Sequence, residues 1–161
     1  MTVVCILSDT HENELAMRDA ITIIKERNPP LIIHLGDIIS PLVLDIFEGL
    51  PMQFIFGNND GERAGLIKKC EIYNWEISDE LITNIDGKSI FCAHGHRDDW
   101  RIAINEQRFN YVFHGHTHLA KDERRGKTRI INPGALFRAT EYSFVFIDFA
   151  LDNVEWIKIS K

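Results

Sequence analysis

Val3-Val4-Cys5-Ile6-Leu7-Ser8-Asp9-Thr10-His11 sets a pattern that the first third of the chain repeats: a short apolar run ending on polar, chemistry-bearing residues. Residues 31–35 form a second such run, closed by Gly36-Asp37, and residues 53–56 a third, closed by Gly57-Asn58-Asn59-Asp60. Between the first two, residues 13–27 carry Leu15, Ala16, Ala20, Ile23 and Ile24 at helical spacing. Asn13 is placed to cap that helix and Asn28-Pro29-Pro30 to stop it. Residues 41–48 read as a second helix. Strand and helix in alternation predict βαβ units on a parallel sheet.

Beyond residue 80 the pattern changes. Runs at 80–85 and 88–93 flank Asp86-Gly87, those at 118–123 and 128–131 flank Arg125-Gly126, and those at 142–150 and 154–159 flank Asp152-Asn153, three hairpin signals. A helix over 97–108 and a short strand over 111–113 fall between the first two hairpins. An α/β half followed by an antiparallel half predicts two facing sheets with helices outside. No linker, repeat or low-complexity stretch interrupts the 161 residues, which suit a single domain over 1–161.

Hydrophobic residues make up 45% and charged residues 26%, which is the balance of an ordinary globular chain. A net charge of −6 supplies no bulk basic field to gather long nucleic acid, so a small anionic substrate is expected instead. Cys5, Cys70 and Cys92 have neither CxxC nor metal-like spacing; Cys5 and Cys92 lie in apolar runs and read as buried thiols, and a reducing compartment fits. Met1-Thr2-Val3-Val4 runs into a strand without a basic leader, and no apolar run reaches the length of a membrane span. The expected location is the cytoplasm, with no membrane partner.

Five short motifs follow in order: Asp9-Thr10-His11, Gly36-Asp37, Gly57-Asn58-Asn59-Asp60, His94-Gly95-His96 and Gly115-His116-Thr117-His118. Each falls just after a predicted strand, and loops at the carboxyl ends of parallel strands gather on one sheet edge. The i, i+2 spacing of Asp9 with His11, and of His116 with His118, would let two side chains of an extended chain face the same way. The glycines would allow tight turns and close backbone approach. Oxygen and imidazole donors without cysteine suit Mn, Fe, Ni, Co or Zn. So large a set points to a two-metal centre for in-line attack on phosphorus.

The order and wording of these motifs resemble the calcineurin-like metallophosphoesterase superfamily, whose pattern is DxH, GD, GN(H/x)(D/E), H and GHxH. The compact size and Asn132-Pro133-Gly134 are most similar to its small prokaryotic YfcE-type phosphodiesterases, and the resemblance spans roughly residues 8–135. It implies an α/β fold, a four-layer α/β/β/α sandwich of two mixed sheets flanked by helices. It implies two divalent ions per chain, with Mn favoured and Ni, Zn, Fe or Co also suited. Asp9, His11 and His118 would hold the first ion, Asn58, His94 and His116 the second, and Asp37 would bridge them. The pair would acidify a shared water to hydroxide, orient the phosphate and stabilise the transition state.

One position departs from the family. Asn59 stands where many relatives carry a histidine thought to protonate the leaving group, and an amide cannot deliver a proton. His96 is the nearest substitute by sequence, or else it orients the metal shell. Relatives lacking that histidine look better suited to phosphodiesters, so a phosphodiesterase acting on a small phosphate ester is expected.

Other readings compete. A nuclease of the same chemistry would need a basic groove or capping domain, and a non-catalytic interaction scaffold, like the retromer subunit of this architecture, would be favoured by lost ligands. His34, inside an apolar run, reads as a strand residue or a support for the ligands, and Asp60 as a helix N-cap or such a support. Arg138 could meet a substrate phosphate or make a surface ion pair. The basic cluster 121–127 reads as a solvated turn. Phe54, Phe56, Phe91, Phe113, Phe144, Phe146 and Phe149 read as strand core, whereas Trp75 and Trp100 could each rim the site or an oligomer contact. A homo-oligomer is compatible with the apolar strands, although no residue demonstrates it.

Overall fold

Alternating side-chain direction on the central strands, which are buried on both faces, sorts the side chains into three apolar layers. In the computed structural model, which describes residues 2–161, β1 (Val3–Leu7) sends Val4 and Ile6 to one side and Cys5 and Leu7 to the other. β2 (Ile32–His34), β3 (Met52–Ile55) and β4 (Glu76–Ser78) continue the sheet in parallel. β10 (Tyr142–Asp148) pairs antiparallel to β1, and β11 (Asn153–Ile159) antiparallel to β10. The order across this first sheet is β11-β10-β1-β2-β3-β4.

The second sheet runs β5-β6-β7-β9-β8. β6 (Lys88–Ala93), β7 (Tyr111–Phe113) and β9 (Thr128–Asn132) are parallel, while β5 (Glu80–Ile85) and β8 (Lys121–Arg125) flank them antiparallel. Both sheets are mixed. Val4, Ile6, Ile33, Ile55, Ile90, Phe113 and Val145 meet between them. Leu7, Phe54, Phe144 and Phe146 face α1 (Glu14–Arg27), a 3-10 helix (Pro41–Phe47) and α2 (Arg63–Ile72). Phe91, Val112 and Ile130 face α3 (Asp99–Asn105). Three apolar layers separate four structural ones, the expected α/β/β/α sandwich. Central strands buried on both faces read as unbroken apolar runs, which made them legible.

Several boundaries differ from expectation. Residues 41–48 form a 3-10 rather than an α-helix. α2 and β4 were not anticipated: α2 buries only Leu66 and Cys70, and β4 is three residues of edge strand. The helix expected over 97–108 shrinks to α3, because Arg97 and Asp98 stay in the loop after β6. β8 begins at Lys121 instead of residue 118, leaving His118 in the loop it shares with His116. Asn13 caps α1 as expected, its side chain accepting from Ala16 N, and Asn28 ends the helix in the left-handed region at φ 46°.

A polar clasp joins the two sheets at the end away from the five motifs. Asp152, in the β10–β11 turn, accepts from Tyr111 Oη at 2.6 Å and Arg129 Nη1 at 2.7 Å, and pairs with Arg124. Burial would raise the Asp152 carboxyl, but Tyr111, Arg129 and Arg124 together bring it down to about 2. A folded-state value below the unfolded one, about 3.9, gives stability that is present above pH ~4 and lost as pH falls towards 2. Asp152→Asn should therefore be less stable than wild type at pH 7, and the gap in urea midpoint should close between about pH 4 and 2. An equal gap at pH 7 and pH 3 would show that the carboxylate charge contributes nothing.

Candidate metal centre

The carboxyl ends of β1, β2 and β3 in one sheet, and of β6 and β7 in the other, open on a common edge. Asp9 and His11 follow β1, Asp37 follows β2, Asn58 and Asn59 follow β3, His94 ends β6, and His116 and His118 follow β7. Two glycines make this convergence sterically possible. A Cβ at Gly57 would collide with Asp37 Oδ1, and one at Gly115 would collide with Ser8 Oγ and Asp9 Oδ2.

The backbone reaches the site by an unexpected route. Asp9, His11, Asp37, His116 and His118 have φ of 53°, 42°, 59°, 67° and 57°. The i, i+2 pairs therefore converge through left-handed turns, not through the alternation of an extended chain. Such conformations are uncommon for residues with a Cβ and concentrate where surrounding contacts over-determine them.

Those contacts are visible. The buried carboxylate of Asp60 accepts from the amides of Ile38, Ile39 and Gly57 at 2.7 Å and of Asp37 at 3.1 Å. It locks the loop after β2 to the loop after β3; the N-cap of α2 is Glu62, so Asp60 supports the site rather than capping the helix. His34 accepts from Gly36 N through Nδ1 and meets Thr10 Oγ1 through Nε2, both at 3.1 Å. Full burial pushes its pKa down to about 4, so it is a neutral strut between two loops. Asn132 donates to Gly115 O and Thr117 Oγ1 under the histidine turn. This role of Asn132, and the stacking of Phe137 on His11 at 4.9 Å, were missed. The Asn-Pro-Gly turn was the available signal for the former.

At the centre, carboxylate oxygens and imidazole nitrogens crowd together. Ligand atoms of Asp9, His11, Asp37 and His118 all lie within 4.8 Å of one another. Asp9 Oδ2 is occupied by Ser8 Oγ and His116 N, but buried Oδ1 makes no hydrogen bond. Facing Oδ1 are His118 Nε2 at 3.3 Å and the Nε2 atoms of His11 and His94, each at 3.9 Å. His11 Nε2, also without a hydrogen bond, lies 3.2 Å from Asp37 Oδ2. His94 donates Nδ1–H to Leu35 O at 2.8 Å, which leaves Nε2 to carry either a proton or a metal ion, 3.1 Å from Asn58 Oδ1. Carboxylate and amide oxygens facing imidazole nitrogens call for a shared cation, either protons on the rings or a metal ion, and these residues fit a metal ion chemically.

His116 and His96 sit at the exposed rim, their rings 5.2 and 5.4 Å from that of His94. Asn59 turns inward: its backbone N–H donates to Asp37 Oδ1 at 2.9 Å and its side chain to Asp37 Oδ2 at 2.7 Å. It steadies Asp37 instead of facing outward as a leaving-group donor would.

Electrostatics match the geometry. Burial would raise Asp9 and Asp37, yet the histidines hold both well below the usual carboxylate range. Burial would lower His11 and His94, yet Asp37 and Asp9 push His11 up to about 9 and raise His94. His118 is raised chiefly by the adjacent Asp9 carboxylate. The cluster thus gathers positive charge around two buried carboxylates.

The other singled-out residues fall outside it. Lys121, Arg124, Arg125 and Arg129 are paired with acidic neighbours on or near their own hairpin, so no basic groove forms there. Trp75 packs on Phe54 and Tyr73, and Trp100 stacks on His114 at 4.1 Å. Arg138 is exposed and has no carboxylate partner among the described residues.

Comparison with known proteins follows the same lines. Residues 1–152 match the calcineurin-like phosphoesterase superfamily domain. The chain is 37% identical over 134 residues to the phosphodiesterase MJ0936 of Methanocaldococcus jannaschii, covering 80% of this chain and 81% of that one. A solved archaeal phosphodiesterase superposes with a TM-score of 0.91 at 30% identity, covering 98% of this chain and all of that one. The Escherichia coli phosphoesterase YfcE shares the fold, with a TM-score of 0.73 at 17% identity over 99% of this chain and all of that one.

The Asp60 clamp can be tested directly. Asp60→Asn, which strips a charged acceptor from buried amides, should cost about 2–4 kcal/mol in urea unfolding. Exposed Asp98→Asn should stay within about 0.5 kcal/mol of wild type. A loss below about 1 kcal/mol in Asp60→Asn would mean that the loops hold together without the clamp.

Proposed function

The chain belongs to the calcineurin-like phosphoesterase superfamily, and we propose that it is a divalent-metal-dependent phosphodiesterase hydrolysing a small phosphate ester. The observation that carries this reading is buried Asp9 Oδ1, an acceptor without a donor that faces three imidazole nitrogens. Asp9, His11 and His118 would hold one ion and Asn58, His94 and His116 a second, with Asp37 between them. Such a pair supplies Lewis acidity and a water acidified enough to attack phosphorus at neutral pH. Mn is the favoured metal, and Ni, Zn, Fe or Co suit the same donors.

The protein's own part is positioning. Leu35 O fixes the His94 tautomer, Asp60 fixes the Asp37 turn, and Asn59 steadies the Asp37 carboxylate. An amide in contact with Asp37 lends no proton to a departing alkoxide, so the site favours diesters and activated leaving groups. His96, at the rim, is the remaining imidazole within reach of a leaving oxygen. An acidic chain whose hairpin arginines are already paired suits a small substrate better than a nucleic acid. Retention of all seven metal-competent side chains disfavours a pure scaffold. Three buried free thiols agree with action in the cytoplasm.

The test is turnover by metal-stripped protein reconstituted with Mn, Ni or Zn, on a diester and a monoester that share 4-nitrophenol as leaving group. Metal-dependent turnover should favour the diester and fall to background in Asp37→Ala. Asn59→His should raise turnover of a simple alkyl monoester relative to that of the 4-nitrophenyl esters, whose leaving group needs no proton. Two bound ions with no turnover on either ester would sink the hydrolase reading in favour of a scaffold.

A further inference from the structure

Ten arginines serve a chain of net charge −6, and among the described residues nine have a carboxylate within 4.0 Å. The exception is Arg138. Its guanidinium lies over the ring of Phe137, 4.9 Å from the centroid, and the other face of the contact chain is the His11 ring, stacked on Phe137 at 4.9 Å and 29°. The segment is fastened to the site, since Leu136 N donates to Asp9 O at 3.2 Å and Asn13 Nδ2 donates to Leu136 O at 2.6 Å. The backbone of Arg138 also adjoins His118. Its φ of 46° is left-handed, as at Asp9, His11 and His118. The same turn contributes Thr140 and Glu141 to a cleft of about 190 Å³ that takes in His118, Leu119 and Ala120.

In a protein that pairs every other guanidinium with acid, a fork left exposed on a ring that stacks against His11 is available to an incoming anion. We propose that Arg138 binds an anionic oxygen of the substrate at the Asp9–His11–His118 end of the site, setting affinity for the phosphate more than its rate of cleavage. This rests on the phosphodiesterase reading above. The oxygen belongs either to the reacting phosphate or to a second acidic group on an ester arm, and the chemistry of recognition is the same.

Calorimetric titration of Mn-loaded protein with inorganic phosphate and with pyrophosphate separates the two sources. Wild type, Arg138→Gln, Arg138→Lys and the control Arg18→Gln, whose partner is Glu14, are compared, with metal content and unfolding midpoint recorded for each. Arg138→Gln should weaken anion binding on the order of tenfold, with Arg138→Lys between it and wild type and metal content unchanged. With the 4-nitrophenyl diester, KM should rise while kcat stays within about twofold. Weaker phosphate binding assigns Arg138 to the reacting group, and weaker binding of pyrophosphate alone assigns it to a second acidic group. Equal affinities of wild type and Arg138→Gln for both anions overturn this inference and leave the hydrolase standing. A wild type that neither turns over the diester nor binds phosphate overturns both.

Discussion

One carboxylate holds the active edge together. Asp60 is buried, and its two oxygens collect four backbone amides from two loops that belong to different strands. A carboxylate can occupy so closed a place only because each lone pair meets an N–H, which replaces the water it lost. The bond network fixes the peptide planes on either side of Asp37, and that residue's left-handed turn follows from them. Gly57 then passes so close to Asp37 that no side chain fits between them. The positions of Asp37 and Asn58 are therefore consequences of Asp60, which itself points away from the reacting space.

The charge inside this frame is arranged for exchange. Asp9 and Asp37 stay ionised despite burial because His11, His94 and His118 take up positive charge around them. Protons and a divalent cation are alternative occupants of the same imidazole nitrogens, so on the proposed reading metal uptake releases protons and weakens as the medium acidifies. Strain and electrostatics reinforce each other here. The left-handed turns that aim Asp9, His11 and His118 inward persist because the network around them tolerates no other arrangement.

Much of this was legible in the sequence, and the limits have physical reasons. Strands buried on both faces produce unbroken apolar runs, so β1, β2, β6 and β10 announced themselves, and Asp86-Gly87, with φ of 50° and 76°, fixed a hairpin. The motif residues were found because polar groups cut those runs short. α2 escaped notice because it buries only two side chains, and β4 because three edge residues carry no periodicity. The left-handed φ at Asp9 and His118 left no mark, since neither is the glycine that usually announces it. Asn59 was placed in its loop without an orientation. Its identity showed what it cannot do, whereas only the geometry showed that it grips Asp37.

The three cysteines gain a use from where they lie. Cys5 and Cys70 sit in the layer between the first sheet and its helices, and Cys92 lies between the two sheets. Burial pushes the Cys70 thiol up to about 11 and raises Cys5 and Cys92 well above the usual thiol range, so a closed molecule offers almost no thiolate at neutral pH. Each sulfur becomes reactive only when its own layer opens. The chain thus carries three built-in clocks, and the order in which an alkylating reagent reaches them would read out which seam of the sandwich parts first.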